Sequence, residues 1–289
     1  MLLSIIIINY KTFEVTSECI TSVYKLLKKE IPEKIEVIVV DNGSGKGEVV
    51  KFHKLRDKAG FKFLSSEKNL GFSGGCNFGA EMAEGQILFF LNSDTQVKKG
   101  VSEMINFLIK NQKVGIIGAK LEKPNGKIEK SAGKFYNLLN LFLMLFLSGE
   151  KLGLVRFAPT KVRKVDWVSG GALMIKKNLF QKLEGFDEEY FMYVEDMDLC
   201  LRSQKEGLET FYFADSRIIH KEHGSGSRKF AIYNIYRSLL VFYKKNRSSL
   251  EYNIARLLLR IKAYLALLLG GLFGKKALAE TYREVLKLF

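Results

Sequence analysis

Three short runs in this chain, Leu2–Ile8, Ile35–Val40 (IEVIVV) and Ile87–Leu91 (ILFFL), are apolar almost throughout and stop abruptly on polar, turn-forming residues. Runs too short for a helix and without strict alternation read as strands buried on both faces, which is the pattern of parallel sheets covered by helices. Helical spacing fills the intervals. Val15, Cys19, Val23, Leu26 and Leu27 recur at three and four residues, His53 and Leu55 mark a short helix, and another helix is expected near Val101–Asn111. Further strands are expected at Phe61–Leu64 and Val114–Ala119. This βαβα order implies right-handed crossovers and a mainly parallel α/β sheet. Pro124-Asn125-Gly126, between Lys120–Lys123 and Lys127–Lys130, predicts a hairpin that brings antiparallel strands into the sheet. The expected organisation is one catalytic domain over residues 1–227 and a helical extension over 228–289.

An open α/β sheet binds ligands at the carboxyl ends of its strands. Two of the strand ends carry carboxylates: Asp41 opens the turn Asp41-Asn42-Gly43-Ser44-Gly45, and Asp94 closes Asn92-Ser93-Asp94. Asp41 suits a nucleobase imide or a ribose hydroxyl, or it only shapes its turn. Asp94 suits Mg²⁺ or Mn²⁺ held together with substrate phosphates, or it only ends its strand in an Asx turn. A second acidic cluster lies far along the chain in Tyr190–Arg202, YFMYVEDMDLCLR. Its apolar spacing predicts a helix from the acidic residues to Gly207. Carboxylates in a first helical turn meet the helix dipole favourably, yet the aromatic approach suits a sugar face and makes a general base plausible.

Asn69–Gly79, NLGFSGGCNFG, is the strongest loop signal. Gly71, Gly74 and Gly75 permit close backbone approach, and Ser73 is placed to cap a helix whose first N–H groups face a phosphate. Gly75, Gly79 and Ala83 also fall on one helical face and would let that helix pack tightly on the sheet. The spacing is neither the Walker pattern nor the dinucleotide fingerprint, which argues against a P-loop ATPase or a dehydrogenase. His220 precedes Gly224–Arg228 (GSGSR); it is a bystander near the site, a core histidine or a metal ligand through neutral imidazole, and Arg228 with Lys229 is either a diphosphate clamp or solvated charge.

The three cysteines, Cys19, Cys76 and Cys200, are too scattered for a disulfide framework or a thiolate zinc site, so a reducing cytoplasm is expected, with no export signal. The net charge of +15 calls for an anionic partner. Much of it sits in Lys244–Phe289, where ten Lys or Arg face three Glu and alternate with apolar runs such as Ala263–Phe273. That run, like Leu138–Leu147, is shorter than the roughly 20 residues that span a bilayer. Both are open to two readings, an interfacial helix on a membrane surface or a packed core helix.

In their order, Asp41, NLGFSGGCNFG, ILFFLNSDT, WVSGGALMI, GFDEEYFMYVEDMDLCLR and His220 resemble the family-two inverting glycosyltransferases, rhamnosyltransferase-like branch, over about residues 1–240. The resemblance implies a GT-A fold, a nucleoside-diphosphate sugar donor, a glycan or lipid-linked acceptor and a divalent metal. By position it implies that Asp41 binds the base, that Asn9, Asn69, Gly71, Asn92 and Asp94 line the nucleotide-sugar pocket, and that Asp94 and His220 hold the metal. It implies Asp196 as general base, with Trp167, Gly170, Gly171 and Glu195 near sugar and acceptor. Cys76 and Lys11 depart from the family's frequent asparagines. Two other classes share parts of the pattern: a sugar-phosphate nucleotidyltransferase, and a noncatalytic basic protein that binds membrane or nucleic acid. The sequence has no recognisable nucleic-acid motif.

Overall fold

The computed structural model describes residues 1–30, 35–221 and 227–289. The first half alternates as β1 (Leu3–Asn9), α1 (Phe13–Glu30), β2 (Ile35–Asn42), α2 (Lys46–Ala59), β3 (Lys62–Ser66), α3 (Gly71–Glu81) and β4 (Ile87–Asn92). Then follow β5 (Thr95–Lys99), α4 (Val101–Lys110), β6 (Val114–Glu122), β7 (Ala132–Gly133), α5 (Leu138–Phe146), β8 (Arg156–Phe157), β9 (Arg163–Val165), β10 (Trp167–Val168) and β11 (Ala172–Lys176). The chain continues through α6 (Lys177–Lys182), α7 (Glu195–Lys205) and β12 (Glu209–His220). It closes with three helices, α8 (Arg228–Asn246), α9 (Ser249–Leu272) and α10 (Lys276–Leu286).

The main sheet runs β3-β2-β1-β4-β11-β6-β12-β5, with β9 also paired to β12. Pairs β1 with β2, β1 with β4 and β2 with β3 are parallel, so Asn9, Asp41 and Asn92 end their strands along one edge. That edge is where backbone ends and helix starts leave room for a ligand. The antiparallel members are β11, wedged between β4 and β6, and β5 and β9 beside β12. The expected hairpin supplies none of them. Its turn closes through Lys123 N–H to Lys127 O, but the second arm makes only the single bridge Glu122 to Ile128, and no strand forms over 127–130.

The core lies on both faces of the sheet. On one, Leu3, Ile5, Ile7, Val37, Val39 and Phe89 are buried under α1, α2 and α4; on the other, Ile6, Ile38, Val40 and Phe90 meet α3 and α7. The small-residue face of α3 packs as expected: a Cβ on Gly79 would lie 2.6 Å from Ile6 Cγ2, and one on Gly75 would lie 3.1 Å from Ile8 Cγ2. α8 starts at Arg228, and its Tyr236, Leu239, Phe242 and Tyr243 join the same core as Trp167 and Tyr190.

Candidate active site

The carboxyl edge of the sheet opens into a cleft of about 530 Å³. Asn42, Asn69 and Gly71 line one part; Asn92, Asp94 and His220 line another; Trp167, Gly170, Gly171, Glu195 and Asp196 line a third. A smaller hollow of about 340 Å³ at the opposite edge surrounds Glu36 and Lys62. There the Glu36 carboxylate is consumed by Ser4 Oγ, the Glu84 and Gly85 N–H groups and the Lys62 ammonium, so it is a structural tie.

Asn9 and Asp41, both fully buried, lie beneath the cleft and do not line it. Asn9 Nδ2 donates to Asp41 Oδ1 (2.8 Å), Ser44 Oγ (3.1 Å) and Glu48 Oε2 (2.7 Å), while Ser44 N–H donates to Asp41 Oδ2 (3.1 Å). This network fixes the loops after β1 and β2. Asn42, one residue on, faces the cleft. It donates to Asn69 Oδ1 and Gly71 O and accepts Leu70 N–H, tying the glycine loop to the β2 end.

The glycine loop does not present free helix-start N–H groups. Gly71 N–H donates to Asn69 Oδ1 and Phe72 N–H to Phe191 O. Ser73 is no cap; its hydroxyl donates to Tyr190 O, 2.6 Å away. Gly71 has φ +75°, and a Cβ there would stand 2.2 Å from Phe191 O. Gly71 is therefore needed for close approach to the acidic segment. On the far side Ser238 Oγ of α8 donates to Met192 O. With three successive carbonyls held from outside, the backbone sustains two adjacent residues in the left-handed region, Tyr193 and Val194, both at φ 71°. For a β-branched valine this conformation is a genuine outlier, costing on the order of 1–3 kcal/mol, and it turns the following acidic pair into the cleft.

The three carboxylates that open α7 divide sharply. Asp198 is buried and spent on structure: it accepts Tyr190 OH, Arg202 Nε (2.7 Å) and Asn246 Nδ2. Asp196 Oδ2 accepts Gly170 N–H (2.9 Å) and its Oδ1 accepts Met197 N–H (2.7 Å). Burial pushes the Asp196 carboxyl up, while those N–H groups and the Arg156 charge pull it down. Glu195 is pushed well up by burial and by the Asp196 charge, and its Oε2 is buried without a partner. Both carboxyls are thus raised, Glu195 the further of the two.

At the other side of the cleft the pairing of β12 with β5 sets His220 opposite Thr95, and Lys221 N–H donates to Asp94 O. His220 Nε2 lies 3.2 Å from Asp94 Oδ1, and its Nδ1 lies 3.0 Å from Glu129 Oε2. Burial lowers the imidazolium pKa, but the hydrogen bonds and charges of Asp94 and Glu129 outweigh it and hold it up at about 10. Among the described residues no three His, Cys, Asp or Glu side chains converge as a metal cage. One carboxylate oxygen and one imidazole nitrogen at a common point nevertheless fit a hard cation that takes its other ligands from phosphate and water. A carboxylate behind the second imidazole nitrogen is the usual backing of a metal-bound histidine, and the cation would displace the Nε2 proton.

Trp167 is buried, its indole N–H given to Lys134 O, and the Arg156 guanidinium lies 5.6 Å from its ring centroid. Sequence reasoning missed Arg156, Glu129 and Asn42. Arg156 and Glu129 stand in stretches without motif spacing; Asn42 was readable as the partner of Asp41 at a strand end. Arg228 and Lys229 are exposed at the start of α8 and do not line the cleft, and residues 222–226 lie outside the described residues.

Residues 4–182 match the model of glycosyl transferase family 2, and residues 159–224 match the N-terminal domain of galactosyltransferase. The chain belongs to glycosyl transferase family 2. This glycosyltransferase is 25% identical over 217 residues to the Mycobacterium tuberculosis N-acetylglucosaminyl-diphospho-decaprenol L-rhamnosyltransferase, covering 66% of this chain and 68% of that one. It is 26% identical over 145 residues to the rhamnosyltransferase WbbL of Escherichia coli, covering 49% of this chain and 54% of that one. The crystal structure of GalNAc-T7 with UDP, GalNAc and Mn²⁺ shares the GT-A fold at TM-score 0.63 and 16% identity, over 85% of this chain and 48% of its own. The family match places the enzyme among glycosyltransferases. Among the described residues no helix is long and apolar enough to cross a membrane.

Proposed function

We propose that this glycosyltransferase moves a sugar, rhamnose or a close relative, from a nucleoside-diphosphate donor to a hydroxyl of a glycan or lipid-linked acceptor, with inversion at the anomeric carbon. The observation that carries this reading is a single cleft bearing an oriented carboxylate, Asp196, and, in another part of its lining, the Asp94–His220 pair. Asn42, Asn69 and Gly71 line the nucleotide end, with Asn9 and Asp41 fixing the loops beneath. Asn92 and Asp94 face the diphosphate, and Gly170, Gly171, Trp167 and Glu195 shape the sugar and acceptor end.

Asp196 takes the proton of the acceptor hydroxyl as that oxygen bonds to the anomeric carbon. The bond from that carbon to the diphosphate oxygen breaks, and its electron pair leaves with the nucleoside diphosphate. The Gly170 and Met197 N–H groups aim the carboxylate. A divalent cation at Asp94 and His220 would offset charge on the departing diphosphate. Support for a lipid-linked acceptor comes from the name of the mycobacterial relative and from the basic, apolar surface of the C-terminal helices. Residues 1–227 then form the catalytic unit, cytoplasmic and peripheral on the membrane through 228–289.

Asp196→Asn tests the assignment. Transfer should fall by about 10²- to 10⁴-fold, the usual contribution of a general base, while nucleoside diphosphate binding with Mn²⁺ stays as in the wild type. Undiminished turnover would remove Asp196 from the reaction.

A further inference from the structure

α8 grips the acidic segment and its approach along its whole length. Phe230 meets the Phe191 ring edge-on at 6.1 Å, Ser238 Oγ donates to Met192 O at 3.0 Å, Lys245 pairs with Glu189 at 2.7 Å, and Asn246 Nδ2 donates to Asp198 Oδ1 at 2.9 Å. Of these four contacts, the one from Ser238 alone holds main chain. Ser238 is buried on the packed face of α8 beside Leu239 and Phe242, where alanine would suit a helix interior better. A serine within a helix can turn its hydroxyl back on the carbonyl one turn earlier. Here the hydroxyl leaves its own helix for a carbonyl 46 residues away.

That carbonyl is the one that leads into the strained turn. Met192 O shares a rigid peptide plane with the Tyr193 N–H, so its direction fixes the plane against which φ of Tyr193 is turned. Tyr193 and Val194 both stand at φ 71°, a region that disfavours side chains and β-branched ones most. The carbonyls of Tyr190 and Phe191, held from α3, belong to earlier planes. Without Ser238 the turn would relax toward negative φ. Because Val194 leads directly into Glu195 and Asp196, the Asp196 carboxylate would then leave the Gly170 N–H that it accepts at 2.9 Å.

Resting on Asp196 as the base proposed above, we infer that Ser238 is a positioning residue for the transfer step: through the Met192 carbonyl it holds the left-handed turn that aims Asp196 at the acceptor hydroxyl. Residues 1–227 carry the reacting groups, and α8 sets the direction of one of them.

In the full chain, Ser238→Ala should lower kcat by about tenfold or more while the donor KM stays within about twofold, and Ser238→Thr, which keeps the hydroxyl, should recover most of the loss. Val194→Gly makes the sharper test, because glycine holds a left-handed φ without strain. In that background Ser238→Ala should cost less than about threefold in kcat. An equal loss with valine or glycine at 194 would overturn the role of Ser238, since a packing defect at 238 does not depend on the residue in the turn. Hydrogen exchange reads the same seating without any substrate: in Ser238→Ala the Gly170 amide should exchange about tenfold faster while the β1 amides keep their rates. An unchanged Gly170 rate would overturn the positioning role whatever the turnover. Faster Gly170 exchange with undiminished turnover would instead overturn Asp196 as the base, and with it the part of Ser238 in transfer.

Discussion

Gly71→Ala separates a glycine that is merely left-handed from one that also admits a second backbone. Gly60 serves as the control, because both have φ near +76° but a Cβ on Gly60 meets nothing within 4 Å. At either position alanine costs about 1–2 kcal/mol for the left-handed conformation, partly offset by about 0.4–1 kcal/mol of lost freedom in the unfolded chain. At Gly71 the new Cβ would also stand 2.2 Å from Phe191 O, so that carbonyl must retreat by roughly 1 Å. The Phe72 N–H to Phe191 O bond, 2.7 Å long, then breaks, which adds about 0.5–1.5 kcal/mol plus residual strain. Gly71→Ala should therefore be destabilised by about 2–4 kcal/mol and Gly60→Ala by about 1 kcal/mol, read from urea midpoints at equal slope. Because Phe191 leads directly into Glu195 and Asp196, a shift of this size should also lower turnover about a hundredfold in folded protein. Equal stability loss in the two variants, or full turnover in Gly71→Ala, would refute the seating of the acidic segment by the glycine loop.

Three further outcomes follow from the site. Burial raises Asp196, so the acid limb of turnover should lie above the ordinary aspartate value of about 3.9, with activity lost as pH falls through it. Arg156→Ala should move that limb to higher pH, and a limb at or below the ordinary value in a pH-rate profile would contradict the buried setting. Glu129→Gln removes the carboxylate behind His220 Nδ1 and should weaken Mn²⁺ binding about 10- to 100-fold by calorimetry; unchanged affinity would separate Glu129 from the metal end. Asp198→Ala leaves Arg202 unpaired near the core and should cost about 3–5 kcal/mol in denaturant, with donor affinity retained by the folded fraction; a loss below 1 kcal/mol would count against the buried ion pair.

The parallel half of the sheet was legible because a strand buried on both faces has to be apolar at every position, as in ILFFL and IEVIVV. The antiparallel members were less so. β5, only five residues long, carries Lys98 and Lys99 and is recognisable only by its pairing to β12. Pro124-Asn125-Gly126 forms its turn, but the second arm, Lys127–Lys130, has no apolar alternation to bury and forms a single bridge.

The sequence by itself determined the βαβα order, the strand ends where Asp41, Asn92 and Asp94 fall, and the presence of a second acidic cluster, since these depend on local periodicity and turn chemistry. Only the tertiary structure decided what each carboxylate touches. Asp198 went to an arginine four residues away and an asparagine 48 residues away, Asp196 to the Gly170 N–H, and Asp41 into the floor beneath the cleft. It likewise set Glu129 behind His220, Arg156 beside Asp196, and the leucines of α9 outward. Charge, hydrogen-bond partners and burial are properties of neighbours in space, and a linear pattern carries only neighbours along the chain.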